Sequence, residues 1–131
     1  MKRLVLVVLV IACFFVPIFG CSNNEVPRLV PVKGKVLLGG NGVSAGSIYL
    51  HPGASAEYTK DTPSSILQSD GSFNVKTFPF GEGVAPGDYT VTLAPELAQR
   101  VKKPNYGSVD KSPWKIIVPT DGKSDLVLEI D

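Results

Sequence analysis

From Val32 onward the chain is built of short runs that alternate apolar and polar side chains, separated by glycine or proline. Alternation with period two sends successive side chains to opposite faces of a strand, so each run buries one face and wets the other; a helix has a different period. The cleanest case is Gly87 to Leu93, with Tyr89, Val91 and Leu93 on one face and Thr90 and Thr92 on the other. In Val32 to Leu38, Val32, Gly34, Val36 and Leu38 share one parity, and Lys33 and Lys35 take the outward one. The runs Gly46 to His51, Ser65 to Ser69, Ser72 to Thr77, Trp114 to Val118 and Leu126 to Ile130 bring the expected strands to seven. That density of strands and turns predicts an all-β, seven-stranded antiparallel β-sandwich over residues 32–131.

The punctuation between runs is informative as well. Asp70-Gly71 is expected to close a tight two-residue hairpin in which both central residues need φ > 0. Gly39-Gly40-Asn41-Gly42 and Pro119-Thr120-Asp121-Gly122 read as turns, and the polar stretch 53–63 as a long mobile loop. Pro95 to Lys103, bounded by prolines and without an obvious apolar stripe, is expected to be irregular or a single helical turn.

The residues before Val32 concern location. Lys2 and Arg3 precede an almost unbroken apolar stretch from Leu4 to Val16, followed by Pro17-Ile18-Phe19-Gly20-Cys21. This is the layout of an export signal over residues 1–20, and Pro17 sits where a membrane-spanning helix would still have to run. Ile18-Phe19-Gly20-Cys21 resembles the lipobox of bacterial lipoproteins. The resemblance implies cleavage between Gly20 and Cys21, diacylation of Cys21, and a lipid-anchored domain on the non-cytoplasmic side of the cell membrane or outer membrane. Ser22 in place of aspartate argues against retention at the inner membrane. The alternative is a plain secretory signal cut after Gly20, leaving a free thiol on Cys21. Residues 21–31, with two prolines and no periodicity, read as the lipidated N-terminus and a flexible tether.

Loss of the signal removes Cys13, Lys2 and Arg3, so the exported domain holds no disulfide, and 11 basic side chains face 12 acidic ones. A balance so close to neutral offers no electrostatic footprint for nucleic acid.

Four features in order resemble the carboxypeptidase regulatory-like, or transthyretin-like, domains found in short bacterial lipoproteins: Val32-Lys33-Gly34-Lys35-Val36, Asp70-Gly71-Ser72-Phe73, Pro86-Gly87-Asp88-Tyr89-Thr90-Val91 and a final alternating strand. The resemblance implies a Greek-key sandwich of transthyretin-like or immunoglobulin-like type. In it Asp70-Gly71 closes a hairpin, Phe73 enters the core, and Pro86-Gly87-Asp88 turns the chain so that Tyr89 plugs one end. It implies no catalytic residue.

The remaining chemistry is sparse. His51 is the single histidine and lacks thiolate or imidazole neighbours in sequence with which to hold zinc or copper, so neither a metal nor any other cofactor is expected. No Gly-x-Ser-x-Gly elbow is present, and Asp70-Gly71-Ser72 lacks the spaced oxygen ligands of a calcium loop. Hydrolase relatives of transthyretin end in Tyr-Arg-Gly-Ser, whereas the last residues here are Leu128-Glu129-Ile130-Asp131. The reading is a non-enzymatic, membrane-anchored envelope module, structural or binding, whose partners are envelope proteins or a polysaccharide. The alternatives are a carbohydrate-binding module, with Tyr49, Tyr58, Tyr106 and Trp114 as candidate sugar-stacking aromatics, or a small hydrolase.

Overall fold

The computed structural model describes residues 26–131. The expected signal and the Gly20–Cys21 junction lie outside the described residues. In chain order the strands are β1 (Val32–Leu38), β2 (Asn41–Gly42), β3 (Ser47–Pro52), β4 (Ser64–Ile66), β5 (Ser72–Asn74), β6 (Lys76–Thr77), β7 (Gly81–Glu82), β8 (Gly87–Leu93), β9 (Lys115–Val118) and β10 (Lys123–Ile130). A short helix, α1 (Pro95–Arg100), and a 3₁₀ turn (Pro104–Gly107) fill the β8–β9 connection.

The strands form two sheets. In the first, β1 is flanked by β10 on one edge and by β2 and β5 on the other. The second runs β7-β6-β4-β3-β8-β9. Val32, Val36, Phe73, Leu126, Leu128 and Ile130 from the first sheet share one core with Ile48, Leu50, Tyr89, Val91, Leu93 and Val118 from the second. These are the residues of inward parity, so period two governs burial in both layers.

Two expectations about strands change. Ten strands are present among the described residues rather than seven, because the run expected from Ser72 to Thr77 divides at Val75 and two short pairings, at β2 and β7, add to the count. Val75 is fully buried; β5 on one side of it pairs with β1, and β6 on the other side pairs with β4, so one alternating run serves both sheets. The arrangement is not wholly antiparallel either, since β1 and β10 pair in parallel, from Val32↔Lys123 to Leu38↔Ile130. A parallel pair needs a long crossover, and here the rest of the domain supplies it. Alternation carries no information about strand direction, so the sequence is silent on this point.

The domain also begins earlier than residue 32. Val30 is buried and exchanges two backbone hydrogen bonds with Val84, 2.8 and 2.9 Å, so the last residues assigned to the tether are part of the fold. The Asp70-Gly71 turn is present in another form. Gln68 N–H donates to the Ser72 carbonyl and Gly71 N–H to that of Gln68, each at 2.9 Å, which makes a three-residue loop with a left-handed glycine, φ +84°. Asp70 is not left-handed; its Oδ1 accepts from Ser72 N–H at 3.0 Å instead. Finally, α1 is a regular helix whose Leu97 and Ala98 are buried, with Val101 packed just beyond it.

Strand directions sort the connections into two ends. Residues 26–31, the 53–63 loop, the β6–β7 tip at 78–80, residues 83–86 and the 119–122 turn gather at the end where β1 starts. The Gln68–Gly71 turn, α1 and the 3₁₀ turn lie at the other.

Candidate binding surfaces

The end where the chain enters is organised by Pro86-Gly87-Asp88-Tyr89. Gly87 has φ +135°, and a Cβ there would lie 2.3 Å from the Cα of Ala56, so glycine lets the 53–57 loop close over the strand. Asp88 holds that loop: its Oδ1 accepts from Ser55 N–H at 2.8 Å and from Ser55 Oγ–H at 2.6 Å, and its carbonyl accepts from Gly53 N–H at 2.9 Å. The Ser55 hydroxyl and amide together hold the carboxyl below its ordinary range. The stretch expected to be mobile is therefore tied down at its start. Tyr89 is 2% exposed and donates its hydroxyl to the Ala85 carbonyl at 2.6 Å, which fixes the corner; burial first, and the neighbouring Asp88 charge second, push its phenol up to about 12.

Of the four candidate aromatics, two belong to the core. Tyr106 and Trp114 are 6% and 8% exposed and meet edge to face, ring centroids 4.7 Å apart. Trp114 Nε1–H donates to the Glu129 carbonyl at 3.1 Å and the Tyr106 hydroxyl accepts from Asp131 N–H at 3.1 Å, so both polar tips fasten the last strand. They seal the sandwich at the end away from chain entry and offer no sugar-stacking face.

Tyr49 and Tyr58 reach the surface but at different places. Tyr49 is in mid-strand on the outer face of the second sheet, and the registers Tyr49↔Ser64, Ser64↔Lys76 and Lys76↔Glu82 set one polar row beside it. With Ser47, Ile66 and Phe78 these residues border an open trough of about 380 Å³. Tyr58 lies in the 53–63 loop, donates to Asp61 Oδ2 at 2.8 Å and meets the ring of Phe80 edge to face at 6.0 Å. A second open groove of about 530 Å³ follows the outer face of the first sheet past Lys33, Lys35, Asn74, Asp125 and Val127.

His51 shares the outer face of the second sheet with Tyr49. Its Nε2 lies 2.9 Å from Thr92 Oγ1, and partial burial lowers its pKa, favouring the neutral ring. That hydroxyl is the ring's hydrogen-bond partner, where a catalytic pair would orient the imidazole with a carboxylate. Among the described residues no group of three His, Cys, Asp or Glu side chains comes together to hold a metal. No helix among them is long and apolar enough to cross a membrane.

Sequence reading missed several exposed large apolar side chains. Phe78 is 72% exposed, Ile66 71% and Ile117 76%, and Phe80 is 37% exposed. The signal for the first was present in Phe78-Pro79-Phe80-Gly81, two aromatics on a turn with no alternating partner.

No family model matches this chain, and no curated protein matches it. Among solved structures it is similar to a DUF3823 family protein from Parabacteroides merdae, at 16% identity and a TM-score of 0.46. The match covers 79% of this chain and 46% of that one. A likeness of that extent assigns no activity.

Proposed function

We propose that the chain is a non-enzymatic envelope lipoprotein: a transthyretin-like sandwich anchored through diacylated Cys21 on the non-cytoplasmic side of a membrane, acting as a structural or binding module. The observation that carries this reading is the Gly20–Cys21 junction a few residues ahead of a domain whose first strand-like pairing among the described residues, Val30 with Val84, is at one end of the sandwich. Two acyl chains give stable anchoring where one is marginal. Between Cys21 and Arg28, seven residue steps reach at most about 25 Å, which holds that end of the domain near the lipid.

Replacing Cys21 tests the anchor. Cys21→Ser should abolish acyl labelling and move the protein out of the membrane fraction; a variant that is cleaved yet still membrane-bound would overturn the reading. Absence of chemistry is tested separately, because esterase, glycosidase and hydroxyisourate-hydrolase rates should not exceed those of His51→Ala.

One observation favours the carbohydrate-binding alternative. The Tyr49 ring borders a trough edged by Ser64, Lys76 and Glu82, the mixture of an aromatic face and hydrogen-bonding groups that suits a sugar. Binding to a polysaccharide panel lost in Tyr49→Ala would support it, and equal binding by the variant would remove it.

A further inference from the structure

The end at which the chain enters the fold is also where its loop aromatics are exposed. β6 runs antiparallel to β4 and points its tip, Phe78-Pro79-Phe80, beyond the sheet at the β1-start end, where Val26 is 74% exposed. The tip is held on a short stem: Phe80 N–H donates to the Thr77 carbonyl at 2.8 Å, and the buried Thr77 hydroxyl donates to the Gly83 carbonyl at 2.8 Å. The stem adjoins the incoming chain, since a Cβ on Gly83 would lie 2.7 Å from the Val30 carbonyl oxygen and 3.1 Å from the Leu29 Cβ. On the other side Tyr58 joins the two, touching Phe80 by its ring and bordering, with Arg28 and Glu57, the cleft beside Val26 and Pro27.

We propose that this end is a second membrane contact, in which Phe78 and Phe80 enter the headgroup–acyl boundary of the bilayer to which Cys21 is anchored. The inference rests on the lipid-anchor reading for proximity and on the structure for the surface. Five residue steps separate Cys21 from Val26, about 18 Å of chain at full extension, so a lipidated Cys21 brings the tip within reach of lipid. Aromatic side chains favour the interfacial zone, and exposed apolar area buried there adds to the binding of an existing anchor. The charges beside the tip are mixed, with Arg28 and Glu57 3.6 Å apart, so apolar burial rather than anionic-lipid attraction drives the contact. The consequence is orientation: a domain fixed by lipid and loop presents its opposite end, with α1 and the Gln68–Gly71 turn, away from the membrane.

The test uses the full protein isolated from membranes and reconstituted into vesicles of equal parts phosphatidylcholine and phosphatidylglycerol, with and without brominated acyl chains. Trp114 is the single tryptophan and is buried at the far end, so wild-type emission should be nearly insensitive to bromination. The Phe78→Trp variant should lose about half of its added emission. Val109→Trp, 43% exposed in the β8–β9 connection, should lose almost none. Phe80→Trp repeats the measurement should Phe78→Trp not fold. A tip variant no more quenched than wild type, or Phe78→Trp and Val109→Trp quenched equally, would overturn the contact. The mass of the N-terminal peptide reports acylation independently. An acylated protein with an unquenched tip refutes the contact alone, and an unacylated protein with a quenched tip refutes the anchor alone.

Discussion

Gly71 shows how one residue can serve both a turn and the packing around it. Its left-handed φ already disfavours a side chain, and a Cβ there would lie 2.5 Å from the Val36 carbonyl oxygen and 2.8 Å from the Gly42 Cα. Gly71→Val should destabilise the domain by about 2 kcal/mol or more in urea unfolding, whereas Gly39→Ala, left-handed but with open space around it, should cost about 1 kcal/mol or less. At Tyr89, replacement by phenylalanine leaves the buried Ala85 carbonyl without its partner and should cost about 1–2 kcal/mol. The raised phenol also predicts a pH dependence. The unfolded tyrosine ionises near 10 and the folded one at about 12, so stability should fall as pH rises between those values, and the Tyr89→Phe melting curve should be flatter there. His51 acts at the acid side: its neutral form is favoured in the fold, so stability should decline as pH drops below the ordinary imidazole value of 6.5, less so in His51→Asn. The need for glycine at 71 and the burial of Tyr89 were legible from dipeptide chemistry and parity. Which aromatics face solvent was not, because Tyr106 and Trp114 are covered by each other and by β10, contacts between residues far apart in sequence.

At the level of elements, the alternating runs were readable and their partners were not. Period two fixes which side chains go inward; it leaves open that β5 and β6 divide between sheets at Val75 or that β10 lies parallel to β1. The short helix α1 was underestimated because Leu97, Ala98 and Val101 make a contact patch too brief to register as a stripe, yet Leu97 is 2% exposed. Leu97→Ala should therefore cost about 2–5 kcal/mol, measurable by denaturant titration. The 53–63 loop has the composition of a mobile segment, but Asp88 anchors its first residues. Asp88→Ala should speed amide exchange at Ser55 and proteolysis across the loop with little change in β8. In the unaltered protein the same loosening should appear on acidification, below the ordinary carboxylate value of 3.8, as Asp88 becomes protonated.

For the whole molecule, the sandwich separates two sets of features by end. Chain entry, the Asp88-held loop and the exposed phenylalanines lie together, while α1, the 3₁₀ turn and the Gln68–Gly71 turn form the opposite end. With the proposed tether at the first end, the domain would turn that end toward lipid and leave the outer face of the first sheet lateral and open to partners. The proposed anchor rests on a local composition pattern, which a sequence displays without any fold. Which loops share an end with the chain entry was not legible, since that depends on strand directions that only the fold reveals. The mass of the N-terminal peptide of the membrane-isolated protein separates a lipid anchor from a plain secretory signal. A lipid anchor predicts a peptide beginning at Cys21 with its thiol carrying a diacylglyceryl group; a peptide beginning at Cys21 with a free thiol, or one retaining the residues before it, would rule the anchor out.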